Sequence, residues 1–295
     1  MFDNKQCEAF LAVAEYGSFE QAARALCLTA SAISLRVQAL EKKFGQVLIV
    51  RGKPLILTTT GQALLIHLQH LRLQEQNLLQ TLSLHSAPHS FIAVTLGVNA
   101  DSLAIWLLPY LHSFLKKEKI LLSIKLDDQT ETHELLFSGV VNACISVEAK
   151  AMKGCESLYL GEMTYRMMAH PDFIAQYFPK GMHREAFRIA PAVIFNQKDH
   201  LHDTVLTRHF GLIQGSYPCH FIPSSHDFAQ MIHMGLAYGL LPEWQIQQLS
   251  SDLVDLMPEY PVKVPLYWHC WKQQPDYLHR MTQHLLTMSK AILNS

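Results

Sequence analysis

From residue 2 to about residue 44, apolar positions recur three and four apart, the period of helices with one buried face. Phe2, Phe10, Leu11 and Val13 lie among Ala and Glu and predict a first helix. Gly17 ends it, Ser18 is a suitable N-cap, and Gln21 stands three residues on as a capping-box partner. A second helix is expected from about Phe19 to Leu26. Cys27, Leu28 and Thr29 form a short turn, and Thr29 caps a third helix from Ala30 to about Phe44, with Gly45 as its stop. Within that helix Ile33, Val37, Leu40 and Phe44 form a core stripe. Ser31, Ser34, Arg36 and Gln38 lie mostly away from it. Two helices joined by three residues have helix-turn-helix spacing.

The pattern then changes twice. "VLIVRGKPLILT" places two β-prone runs around Arg51-Gly52-Lys53-Pro54, a hairpin with a basic tip. Thr58 to Leu84 reads as a long leucine-rich helix. Leu64, Leu68, Leu71, Leu78 and Leu82 follow 4-3 spacing, with Glu75 interrupting, and imply pairing with a second chain. "HSAPHS", residues 85–90, reads as a linker. Beyond it strands and helices alternate: "FIAVTLGV", "ADSLAIWLLPYLHSFLKK", "ILLSIKLD", "QTETHELLFSG" and "VVNACISV" make a βαβαβ unit. "TYRMMAH", "AVIFN", "PCHFIPSS", helix "HDFAQMIHMG" and strand "LAYGLLP" read as a second α/β half. "VPLYWHCW" and a helix from about Tyr277 to Leu293 return toward the first. The expected fold is an all-α winged helix-turn-helix domain, then a long linker helix, then an α/β region of two Rossmann-like lobes. The boundaries are 1–58, 59–90, 91–163 plus 265–295, and 164–264. Chain crossing between two such lobes leaves a cleft where strand ends and helix starts converge.

Charge refines this picture only locally. The 295-residue chain has a net charge of −1, so no global basic field announces a nucleic-acid partner. Residues 36–53, however, carry +4, from Arg36, Lys42, Lys43, Arg51 and Lys53 against Glu41. A slim helix end with small hydroxyls, free N–H groups and a flanking arginine suits the ~12 Å major groove. Candidate double-stranded DNA contacts are Ser18, Thr29, Ala30, Ser31, Ser34, Leu35, Arg36, Gln38, Arg51 and Lys53. The bland alternative is a solvated helix face.

Other chemistries are weaker. Six scattered cysteines without C-x-x-C, and a start "MFDNKQCEAF" without an apolar h-region, imply reduced thiols and a cytoplasmic location. The most apolar stretch, residues 91–115, is broken by Asp101, Pro109 and His112 and does not read as a membrane span. "DHLH" sets His200 and His202 two apart, but local spacing fixes no third ligand, so a metal is not expected. No G-x-S-x-G, H-E-x-x-H or P-loop motif points to an enzyme.

The segment "LTASAISLRVQALEKKFGQVLIVRGKPLILTTTG" resembles the signature of LysR-type transcriptional regulators. A serine-rich helix precedes Leu40-Glu41, Gly45, Leu48, Arg51 and Leu57-Thr58…Gly61, and the whole-chain plan is similar. The resemblance implies a non-enzymatic regulator with a periplasmic-binding-protein-like effector region, no cofactor, a homodimeric or homotetrameric state, and RNA polymerase as a partner. "GVNADSLAIWLLP", "PCHFIPSS" and "LYWH" further resemble the ArgP/LysG branch of that family, which responds to lysine and arginine and controls basic amino-acid export or metabolism. Three positions depart from the pattern. Ala30 stands where many LysR-type proteins have glutamine, Leu35 where the branch carries a polar residue, and Asn196 where it carries an acid. From Ala30 and Leu35, operator preference is expected to differ, while Asn196 bears on the ligand contacts.

A free basic amino acid needs donors for its carboxylate, and carbonyls or an acid for its ammonium. A cationic side chain needs a further acid in the cleft. Asn99, Asp101 and Ser102 lie where the first strand enters its helix. Asp127, Asp128 and Thr130 follow the second strand, Phe195 and Asn196 end another, and Ser224 and Ser225 precede a helix. These are the candidate effector contacts. Asp128 or Asp101 is expected to meet the ammonium, and Ser102 or Ser224/Ser225 the carboxylate. Several would equally serve as ordinary N-caps.

Overall fold

A computed structural model describes residues 2–52, 54–82, 91–126, 132–137, 139–249, 252–290 and 293. Three helices come first: α1 (Asn4–Tyr16), α2 (Phe19–Ala25) and α3 (Ala30–Phe44). Their ends have local chemical causes. Asp3 caps α1 by accepting from Gln6 N–H at 3.0 Å. Gly17 ends it at φ 64°, a left-handed value that glycine adopts without strain. Ser18 accepts from Gln21 N–H at 3.4 Å and donates its hydroxyl to Glu20 at 2.8 Å, so Glu20 rather than the Gln21 side chain partners the cap. Thr29 accepts from Ala32 N–H at 3.2 Å, and α3 starts there as expected. Phe10, Val13, Ala22, Ile33, Val37 and Leu40 share one core, in which each large side chain contributes roughly 1.5–3 kcal/mol.

Strands β1 (Ile49–Val50) and β2 (Ile56–Leu57) pair antiparallel as the expected hairpin, and α4 (Thr59–Leu82) follows. Leu64 and Leu68 do not face a partner chain. They are buried in the core of their own domain, next to Leu65. That corrects the leucine seam: of its described side chains only Leu71, at 44% exposure, is left outward, and the side chains of Leu78 and Leu82 lie outside the described set. Residues 85–90, the expected linker, also lie outside the described residues.

The α/β region begins with β3 (Ile92–Val98), α5 (Ala100–Ser102), a π turn (Leu103–Leu107) and α6 (Leu108–Glu118). It continues through β4 (Ile120–Leu126), α7 (Thr132–Phe137), β5 (Ala143–Ser146) and β6 (Cys155–Ala169). Next come α8 (Pro171–Tyr177), α9 (Arg184–Ile189), β7 (Ala192–Ile194), α10 (Leu201–Phe210) and β8 (Cys219–Phe221). The chain then forms α11 (Ser225–His233), β9 (Gly239–Pro242), α12 (Glu243–Gln248) and β10 (Val254–Asp255). It closes with β11 (Val262–Trp271) and α13 (Asp276–Ser289).

In the first lobe β4, β3 and β5 run parallel, as the βαβαβ pattern requires. In the second, β7 and β8 are parallel, and Ala192 bridges to Tyr238 beside β9. Two long strands join the lobes. β6 and β11 are antiparallel from Tyr165↔Val262 to Cys155↔Trp271, with a register shift between Leu266 and Tyr267. "TYRMMAH" is thus only the far half of a 15-residue strand. The boundaries expected at 163/164 and 264/265 lie on facing residues of this ladder. α13 packs back on α6 in the first lobe, where Arg280 meets Glu118 at 2.5 Å and the His284 ring stacks on Phe114.

Candidate functional site

The N-terminal domain presents α3 by way of a few tight contacts. Glu41 Oε1 accepts the Leu48 and Ile49 N–H groups at 2.9 and 3.2 Å, which ties the end of α3 to the hairpin. Glu41 therefore serves as an internal strut as well as a local acid. Thr58 Oγ1 donates to Val47 C=O at 2.7 Å and accepts from Gly61 N–H at 3.0 Å. A Cβ on Gly61 would sit 2.1 Å from the Leu48 carbonyl oxygen, so only glycine fits there. The Leu40-Glu41, Leu57-Thr58 and Gly61 spacings are thus the joints between α3, hairpin and α4. Sequence reasoning took these residues as a signature without assigning them this job.

Ser31, Leu35 and Gln38 are exposed on α3, with Leu35 at 66%. Ala30, Ser34, Arg36 and Ser18 are half-buried. Thr29 and Ser31 share a hydroxyl hydrogen bond of 3.0 Å at the leading end. The Arg51 guanidinium lies 5.1 Å from the centre of the Phe19 ring, so the hairpin leans on the start of α2. Lys53 lies outside the described residues.

Between the lobes is a cavity of about 370 Å³, walled by α5, β6, β9, α10, α11 and β11. Its lining holds the carboxyls of Asp101 and Asp199 and the lysines Lys198 and Lys263, and Asp101 ties the two lobes together. One carboxylate oxygen accepts the Ser225 hydroxyl from the second lobe, and the other accepts Tyr165 OH at 2.8 Å. Burial, with Asp199 nearby, pushes the Asp101 carboxyl above its ordinary value, while the two hydroxyl bonds oppose the shift. Asn99 is 3% exposed and stands at the N-cap of α5 without making a cap bond. Its amide oxygen and nitrogen are both buried without a hydrogen-bond partner in the protein, a costly state for polar atoms. His202 accepts Leu240 N–H at Nε2 (3.1 Å), which places its proton on Nδ1. That nitrogen also lacks a partner. Burial holds the His202 ring below its ordinary pKa, against the pull of Asp199 and Asp203.

Of the expected effector contacts, Asn99, Asp101, Phe195 and Ser225 line this cavity. Ser102 is fully buried beneath it, also with an unpartnered hydroxyl. Ser224 caps α11 through Asp227 N–H at 3.4 Å and is not in the lining. Asn196 Oδ1 accepts from Lys198 and Asp199 N–H at 2.7 and 3.1 Å, so it shapes the turn rather than the wall. Asp127, Asp128 and Thr130 lie outside the described residues. Sequence reasoning missed Tyr165, Asp199, His202 and Gln245, all in the lining. Only His202 carried a signal, as half of "DHLH".

That histidine pair divides in the structure. His200 is exposed and reaches Asp203 at 3.3 Å, while His202 is buried. Among the described residues no three His, Cys, Asp or Glu side chains are grouped to hold a metal ion. All six cysteines are free. Burial pushes Cys155 up to about 11, Cys270 to about 12 and Cys144 higher still, so these thiols are poor nucleophiles. Among the described residues no helix is long and apolar enough to cross a membrane.

A winged helix-turn-helix on a long helix, attached to a two-lobed α/β region with a polar cleft, defines a DNA-binding regulator with a small-molecule receptor domain. The chain belongs to the LysR family. Residues 4–62 match the bacterial regulatory helix-turn-helix protein of the lysR family, and residues 93–291 match the LysR substrate binding domain. It is 39% identical to the HTH-type transcriptional regulator ArgP of Aeromonas salmonicida over 293 residues, 99% of this chain and 98% of that one. Among solved structures it is similar to ArgP from Mycobacterium tuberculosis, with a TM-score of 0.83 and 32% identity over 98% of each chain. It is also similar to LysG from Corynebacterium glutamicum with bound effector Arg, with a TM-score of 0.77 and 30% identity over 98% of this chain and 99% of that one.

Proposed function

We propose that this LysR-type regulator senses arginine or lysine in the interlobe cleft and controls genes for basic amino-acid export or metabolism. The supporting observation is the set of polar groups that the cleft brings together. The half-buried Asp101 carboxyl sits with Asp199 nearby, beside an Asn99 amide and a His202 N–H that lack partners. A zwitterion with a cationic side chain satisfies both kinds of group. Its ammonium or guanidinium pairs with the carboxylates, and its carboxylate takes the free N–H donors. Asn99, Asp101, Ser225 and Phe195 are assigned to contact it, with Ser102, Ser224, Asn196, Asp127, Asp128 and Thr130 as the remaining candidates. The LysG neighbour holds bound Arg, in line with this reading.

On DNA, Ser31, Ser34, Leu35 and Gln38 face base edges, with exposed Leu35 offering an apolar contact to a thymine methyl group. Ser18, Thr29, Ala30, Arg36, Arg51 and Lys53 lie along the phosphates. The protein acts in the cytoplasm as a homodimer or homotetramer and works through RNA polymerase, without enzymatic activity or a cofactor. Residues 1–58, 59–90, 91–163 with 265–295, and 164–264 are its working units. Effector binding shifts the lobes about the β6–β11 bulge, and it acts only through differential affinity for the two arrangements.

The test is thermal stabilisation against the twenty amino acids, followed by gel shift. Arginine or lysine raises Tm in proportion to the logarithm of its concentration. A set in which neither shifts Tm overturns the assignment. Arg36→Ala weakens DNA binding by about 1–3 kcal/mol if it meets a base, or lowers the salt slope by about one if it meets a phosphate. Unchanged binding at moderate salt removes α3 from the interface.

A further inference from the structure

The cleft is not the only cavity at which lobe and helix meet. A second, of about 200 Å³, lies at the opposite end of the first lobe, between that lobe, α1 and α4. Ile66 of α4 packs against a cluster of Leu136, Val141, Cys144, Cys155 and Trp271. One turn further, Gln69 lies over Gly139. The Gln69 amide fills the space where a Cβ on Gly139 would point, and Gly139 has φ 69°, a backbone value that calls for glycine. Gln69 Oε1 is buried without a hydrogen-bond partner. Arg72, the next residue along this face, pairs with Glu15 of α1 at 3.3 Å. One face of α4 therefore holds the helical domain's own core through Leu64, Leu65 and Leu68, and another rests on the effector region.

The position of this seat gives it a role. Three neighbouring strands run from it to the cleft. β3 has Thr95 at the seat, and Asn99 just past its end lines the cleft. β5 is preceded by Asn142 at the seat and followed by Val147 in the cleft wall. β11 brings residues 262–265 to the cleft and ends at Trp271 in the seat. The turn is fixed to the sheet, since Thr95 N–H donates to Asn142 Oδ1 at 2.7 Å and Asn142 N–H donates to Thr95 C=O at 2.8 Å. All four residues of β5 are buried, so the strand is a closely packed link between seat and cleft, roughly 13 Å long at ~3.3 Å per residue.

We infer that the face formed by Gly139, Val141 and Trp271 is a docking surface for the chain's own α4, and that cleft occupancy reaches the DNA-binding domain through it. The partner is the Ile66–Gln69–Arg72 face of α4. The inference concerns the route and stands apart from which effector fills the cleft.

Two variants of the full-length protein test it. Ile66→Asp places a charge in the apolar seat. Gln69→Ala removes the amide from the notch and leaves both the neighbouring core and the Gly139 backbone untouched. Amide hydrogen exchange, which needs no effector, is expected to speed up at least about tenfold at residues 139–142 in either folded variant. Unchanged exchange there means that the seat is not occupied in solution, and it overturns the proposal. DNA affinity is then measured with and without arginine. The variants are expected to keep the arginine-dependent rise in Tm but lose most of the arginine-dependent change in DNA affinity, which for coupled sites is typically about 5–150-fold. A variant with loosened residues 139–142 and wild-type coupling also overturns the proposal. Absence of any arginine effect on wild-type Tm counts against the effector assignment alone, because the exchange result stands independently.

Discussion

The DNA-binding domain and the effector cleft are built on different length scales. In the former, each deciding contact is short in sequence: Asp3 to Gln6, Ser18 to Gln21, Thr29 to Ala32, and Glu41 to Leu48. In the latter, Asp101 meets Tyr165 and Ser225, His202 meets Leu240, and β11 closes on β6 across a hundred residues. Local contacts leave marks in the sequence as caps, stops and periodicity. Contacts over long loops leave almost none, because any sequence with the right strands can bring such groups together.

The largest effect tests whether the short-range half stands by itself. Gly61→Val puts a branched side chain against the Leu48 carbonyl, which is backbone and has little freedom to yield. About 3 kcal/mol or more should be lost from the N-terminal domain, with DNA binding abolished in gel shift. Arginine should still stabilise the effector region in differential scanning calorimetry. Simultaneous loss of that response would show that the two halves fold as one unit.

Particular residues show where legibility stopped. Thr29 and Gly45 announced both ends of α3, and "FIAVTLGV" announced β3, because cap chemistry and burial on both faces have simple patterns. The first half of β6, "CESLYLGEM", did not read as a strand. Its buried, half-buried and exposed positions follow no single alternation, because it crosses from one lobe to the other. The leucine spacing of α4 looked like a dimer seam, yet Leu64 and Leu68 belong to the domain's own core. Helical period records that a face is buried and not what covers it. In the cleft, Asp101 and Asn99 were found from strand-to-helix geometry. Tyr165 and Asp199 had no such marker, since their importance arises only where distant elements converge.

A smaller effect sharpens the contrast on the long-range side. Asp101→Asn removes a charge that folding buries. The folded-state carboxyl titrates above the ordinary value of 3.8, so the wild-type protein loses stability as pH rises from that value through its folded pKa. The asparagine variant escapes the loss. Without effector its Tm should exceed wild type at pH 8, and the gap should close toward pH 4. In saturating arginine the order should reverse, because the variant no longer binds the cation. A variant that binds arginine normally would remove Asp101 from the site. One that is less stable at pH 8 would show that the Ser225 and Tyr165 bonds outweigh the burial of the charge.

The smallest effect belongs to His202, which joins the two kinds of contact: its neighbours Asp199 and Asp203 are local, and its bond to Leu240 N–H is not. Its folded pKa lies below 6.5, so the unfolded chain binds a proton more readily than the folded one. Wild-type stability is therefore complete above pH 6.5 and falls as pH drops below it, by at most about 1.4 kcal/mol per pH unit for one group. The groups facing the ring are Asp199 and Asp203, whose charges moderate the loss, and the Phe228 ring, which cannot. His202→Gln keeps an acceptor for Leu240 N–H but has nothing to protonate. Urea titrations at pH 8 and pH 5 should find the variant somewhat weaker than wild type at the higher pH, from imperfect packing, and the difference smaller at the lower. A difference that stays constant between these pH values would mean that the imidazole does not change protonation on unfolding. Nδ1 would then have a partner within the fold, and its place as a free donor in the cleft would be lost.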